Sequence, residues 1–113
     1  MKLHCTVSMS IPARDVAEKT LEVIVEDVTR ADDPATVLTR FRSRVEELPQ
    51  TGHQLGPIDI DVELPDPKAR YNVRARVMSG AKLSTGDLSS TRSYPIASGQ
   101  QEVTLNIQVE LIR

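Results

Sequence analysis

The side chains best suited to nucleophilic attack, proton shuttling or soft metal ligation are His4, Cys5 and His53, the only histidines and cysteine in the chain. A structural or catalytic zinc site needs ligands at short, repeated spacings, and no Cys-x-x-Cys or His-x-x-x-His is present. A cysteine–histidine pair would require His53 to reach the first strand. His53 instead follows Gly52 in a segment that reads as an exposed loop. Cys5 alternates with polar neighbours and reads as a small buried hydrophobe. Asp27, Asp32 and Asp33 crowd one turn but lack calcium-loop spacing, so they read as turn caps. Ser84 to Ser93 is rich in hydroxyls without a Gly-x-Ser-x-Gly elbow, and no glycine-rich phosphate loop exists. The expectation is a non-enzyme with no catalytic residue, no cofactor and no metal.

The remaining chemistry is charge in rows. Arg40, Arg42 and Arg44 alternate along one segment, and Arg74 and Arg76 along another. Glu22 and Glu26, then Asp59, Asp61 and Glu63, form matching acidic rows. All are expected on outward faces. The reading the residues favour is cross-strand charge pairing. The functional alternative is a partner-binding surface built from Arg40, Arg42, Arg44, Arg74 and Arg76. Nucleic acid is not expected there, because no aromatic shares the outward face of the arginines.

The elements that position these rows are strands. Leu3, Cys5, Val7 and Met9 alternate with polar residues until Pro12 stops them. Ala13 to Lys19 fits either one helical turn or a loop, and the loop is favoured. Thr20 to Val28 alternates, with Leu21, Val23 and Val25 on one face and Glu22, Ile24 and Glu26 on the other. Asp27 to Pro34 is a turn. Residues 36–45 fit either period; recurring β-branched residues and the arginine alternation favour a strand, with Val37, Thr39, Phe41, Ser43 and Val45 on one face. Leu48 to Pro57 reads as a loop. Ile58, Ile60, Val62 and Leu64 point inward until Pro65-Asp66-Pro67. Tyr71, Val73, Ala75 and Val77 make the next strand, and Tyr71 stands where a corner tyrosine bonds backbone with its hydroxyl. Tyr94 is expected to do likewise. A short strand over 82–85, a Gly86-Asp87 turn and a strand to Tyr94 follow. Val103, Leu105, Ile107, Val109 and Leu111 form the clearest strand, either central in a sheet or available for pairing.

One domain suits 113 residues, spanning 1–113. Fourteen Lys plus Arg against sixteen Asp plus Glu give a net charge of −2, which disfavours a strongly basic nucleic-acid binder. With no confident helix to cover a sheet, the strands must cover each other. The expected fold is an all-β, antiparallel β-sandwich of seven to eight strands with immunoglobulin/transthyretin-like architecture. No apolar run is long enough to span a membrane as a helix.

Tyr71-Asn72-Val73-Arg74-Ala75-Arg76-Val77 closely resembles the most recognisable segment of the YbaY-like lipoprotein family. That family also contains the YscW-like pilotins, small lipoproteins that chaperone the secretin of type III secretion systems. Leu21-Glu22-Val23 through Glu26-Asp27-Val28, with Thr29-Arg30-Ala31-Asp32 and Pro34-Ala35, resembles its second strand. Pro57-Ile58 with Val62-Glu63-Leu64-Pro65 resembles its middle strand, and Thr91 to Ile96, with Tyr94-Pro95, the one after. The resemblance implies a compact β-sandwich without known catalysis, in the cell envelope. Met1-Lys2-Leu3-His4-Cys5 lacks the family's signal peptide and anchored cysteine. The expected location is cytoplasmic for the sequence as written, or envelope or periplasm if a leader was removed.

The function expected is a protein- or peptide-binding, chaperone-like module using a groove or sheet edge, with a homodimer through a sheet edge as a further partner expectation. The alternative is a small-molecule carrier or a purely structural sandwich.

Overall fold

The computed structural model describes residues 1–30 and 32–113; Ala31, within the turn expected over Asp27–Pro34, lies outside the described residues. Among the described residues nine strands form, named in chain order: β1 (Lys2–Met9), β2 (Thr20–Asp27), β3 (Thr36–Arg44), β4 (Gln50–Thr51), β5 (Gln54–Asp61), β6 (Tyr71–Met78), β7 (Leu88–Ser90), β8 (Tyr94–Ile96) and β9 (Glu102–Leu111). The ambiguous 36–45 segment is a strand, as its arginine alternation predicts.

The strands join one curled sheet in the order β3-β2-β6-β7-β9-β1-β5-β4, with β8 also on β6. Two layers result, β3-β2-β6 and β9-β1-β5, and their inward aliphatics share one core. Leu3, Cys5, Val7, Leu21, Val23, Val25, Val73 and Val77 have no exposure at all. Side chains alternate across a strand, so each layer places one apolar row in the core and one charged row outside.

Several expectations need correction. The sheet is mixed rather than antiparallel throughout, because β1 and β9 pair in parallel from Lys2↔Glu102 to Met9↔Val109. Alternation defines a face but carries no strand direction. Ala13–Val16 is a 3₁₀ turn that buries Ala13 and Val16. The segment read as a loop over Leu48 to Pro57 contains β4 and the start of β5. Its glycine and proline sit at a register shift inside the β1–β5 ladder: Cys5 pairs Ile58 and Val7 pairs Leu55. Gly56 has φ +111°, and a Cβ there would stand 2.8 Å from the Cys5 carbonyl oxygen. Residues 82–85 form no strand. A register shift at Val25/Glu26 pairs Val37 with Glu26, so Val37 leaves the face of Thr39 and Phe41 and is exposed.

Tyr71 is 2% exposed, and its hydroxyl accepts from the Asp66 N–H at 2.9 Å and donates to the Asp66 carbonyl at 3.1 Å. The hydroxyl of Tyr94 accepts from the Gln108 N–H at 2.8 Å. Both tyrosines therefore have the backbone-bonding role read for them.

Candidate functional site

The arginine rows meet across three strands. Glu22 on β2 is flanked in register by Arg42 on β3 and Arg76 on β6; Ile24 is flanked by Arg40 and Arg74. The five arginines thus share the outer face of β3-β2-β6, with Arg44 at its end beside Glu46, 3.1 Å away.

Glu22 departs from expectation. It lies on the outer face yet is fully buried. Arg76 places Nε 2.7 Å and Nη2 2.6 Å from its Oε1, and Arg42 Nε donates to Oε2. Burial pushes the Glu22 carboxyl up, but the hydrogen bonds and charges of Arg42 and Arg76 outweigh it and hold it below the usual carboxylate range. Glu26, also buried, takes Arg74 at 3.2 Å. The long arginine stems roof the outer face while their heads stay at the water boundary, which also hides Ile24. Cross-strand pairing is therefore real, but with Glu22 and Glu26 rather than with Asp59, Asp61 or Glu63.

The three other acids belong to the opposite layer. Asp59 accepts from or shares a proton with His4 Nδ1 at 2.6 Å, and Glu102 on β9 stands 3.6 Å from His4 Nε2. The Asp59 hydrogen bond raises the His4 pKa above its ordinary value, against a smaller opposing effect of desolvation. Asp61 and Glu63 are exposed. One broad face of the molecule is basic and the other acidic. Cys5 is inert, its thiol pushed up to about 12 by burial and then by the charge of Asp59.

A buried carboxylate escaped the sequence reading. Asp87 has no exposure and receives Lys19 Nζ at 2.8 Å, the Ser79 and Ser84 N–H groups at 3.2 and 3.0 Å, and both serine hydroxyls. Burial acts to raise its pKa, and these partners bring it below the usual range. It pins the β6–β7 loop to the segment leading into β2. Lys19 lies 68 positions away, so no local spacing announces the pair.

The backbone offers a second candidate site. β9 is central, but its side away from β1 pairs with β7 only over Val109–Leu111. From Glu102 to Asn106 no strand pairs along that side among the described residues. Lys2 N–H bonds the Gln101 carbonyl, so odd-numbered groups of β9 face β1 and those of Glu102, Thr104 and Asn106 face the gap. Val103, Leu105 and Tyr94 are only partly buried beside it.

The described residues thus make one curled β module with charges held in cross-strand pairs and an unpaired stretch of strand edge. The chain belongs to the type III secretion system lipoprotein chaperone (YscW) family, whose model matches residues 3–109. Among solved structures it is similar to an alternative pilotin from the type II secretion system of Vibrio cholerae, with 19% identity, TM-score 0.66, and coverage of 100% of this chain and 97% of that one. The second likeness concerns the fold. A search of curated proteins gave no match.

Proposed function

We propose that this chain is a non-catalytic chaperone that holds an extended segment of a protein partner, the secretin subunit of a type III secretion system, along the open part of β9. The observation that carries the reading is the unpaired backbone of Glu102, Thr104 and Asn106 beside partly buried apolar side chains. Main-chain hydrogen bonds there supply affinity, and the flanking side chains supply selectivity. Family membership supports the chaperone role and a place in the cell envelope. A carrier role is less well supported, because the space between the layers is filled by close-packed aliphatics.

The test is titration calorimetry with purified secretin subunit. Thr104→Pro removes a donor that points into the gap and leaves the β1 ladder intact. Binding by the parent and roughly tenfold or greater loss in the variant, with unchanged circular dichroism, is expected. No binding by the parent, or equal binding by the variant, overturns the reading.

A further inference from the structure

The two ends of the sheet carry complementary patterns. Among the described residues, β3 at one end has nine residues with no strand beyond it, and β5 at the other has only the two-residue β4. The Val45 N–H bonds the Lys19 carbonyl, so odd-numbered backbone groups of this segment face β2. Those of Arg40, Arg42 and Arg44 therefore face the free edge. On β5, Ile58 and Ile60 pair with Cys5 and Leu3, whose backbone groups face it, leaving those of Asp59 and Asp61 on the free edge. Both sets of charged side chains lie on outer faces, and Phe41, Ile58, Ile60 and Val62 belong to the inner ones.

We propose that two copies of this chain form a two-fold dimer in which β3 of each pairs antiparallel with β5 of the other. Topology allows it. From β3 to β5 the sheet takes five antiparallel steps and one parallel step, so the two strands run in opposite directions. The chain passes from β3 through a 3₁₀ turn, Val45–Glu47, straight into β4, which brings both ends of the sheet to one side. A two-fold axis along the strands then sets β3 beside the partner's β5 twice over and closes the assembly.

The register follows from what already occupies β5. β4 covers it as far as Leu55, and Pro57 has no N–H to offer. The open stretch begins at Asp59, which places Arg44 opposite Asp59, Arg42 opposite Asp61 and Arg40 opposite Glu63 of the second copy. Arginine would face a carboxylate at every outer position, and apolar side chains would meet inside. Pairing β3 with a second β3 would oppose arginines, and β5 with a second β5 would oppose acids. Only the mixed pairing is free of like-charge contacts.

The association uses the side of the sheet away from the β9 gap and is independent of secretin binding. The experiment is sedimentation equilibrium of the full chain over a concentration series, with two reversed variants. One carries Arg40→Glu and Arg44→Glu; the other carries Asp59→Arg and Glu63→Arg, the positions opposite them. The parent is expected as a dimer that weakens with salt. Each variant alone should dimerise roughly 100-fold more weakly or worse. Their equimolar mixture should recover a one-to-one dimer, because both of its edge pairs are again complementary. Circular dichroism of each variant reports its folding. If reversal unfolds either one, the milder pair Arg44→Gln and Asp61→Asn should each weaken the dimer. A parent that stays monomeric, grows into open polymers, or dimerises equally well after charge change overturns the proposal.

Discussion

Arg76 lies directly opposite Glu22 across the β2–β6 pair, and its Nη2 stands 2.6 Å from a carboxylate with no exposure. The pair is the middle of an Arg42–Glu22–Arg76 row spanning three strands. Side-chain exposure is 20% for Arg76 and 59% for Arg42, so the two arginines are unequal. Arg76→Gln should cost about 1.5–3 kcal/mol, as for hydrogen bonds to a buried charge. Arg42→Gln should cost about 1 kcal/mol or less, because water replaces an exposed partner more readily. Urea midpoints of both variants beside the parent give the ranking, and the reverse order would contradict it.

Val73 alternates with Arg74 and Arg76 and has no exposure. Val73→Asp would bury a carboxylate with no cation facing it. The expected loss is roughly 4 kcal/mol or more, comparable with a small domain's whole stability. Loss of the cooperative urea transition checks it; a stable variant would mean the strand faces the other way.

This last facing was legible in the sequence, as were β1, β6, β9 and the corner role of Tyr71, because a period of two shows which residues share a face. Whether that face is covered was not legible. Glu22 and Ile24 are on the outer row and still buried, because the arginine stems of neighbouring strands lie over them. Gly56 and Pro57 looked like a loop, since composition alone does not separate a loop from a bulge inside a ladder. Asp87 looked like a turn residue because its lysine partner is distant in the chain.

Asp87→Asn removes the charge that Lys19 pairs with inside the β6–β7 loop. The expected cost is about 1–3 kcal/mol. Amide exchange at Ser79 and Ser84, whose N–H groups bond its carboxylate, should accelerate more than exchange in β1. Uniform acceleration would show global rather than local loosening.

The pH dependence has two arms. Glu22 and Asp87 have depressed pKa values in the fold, so their stabilisation is present above the unfolded carboxylate value of about 4 and is lost as pH falls through the folded values. His4 is raised above 6.5, so its contribution is complete below that value and disappears as pH rises through the folded one. Proton NMR should place the His4 midpoint above 6.5, and Asp59→Asn should move it down. An unchanged midpoint in Asp59→Asn would remove Asp59 as its cause.

The parallel β1–β9 pair has a consequence in time. Among the described residues β1 comes earliest along the chain, and one of its two neighbours, β9, comes latest. The antiparallel partner β5 arrives midway, but one whole flank of β1 stays bare until residues 102–111 emerge. Closing so long a loop makes native assembly wait for residues 102–111, and slow by contact order. Until then Leu3, Cys5 and Val7 belong to an apolar strand with an unpaired border, the form of chain most prone to stick to its neighbours. A member of a lipoprotein chaperone family thus passes through an aggregation hazard during its own folding.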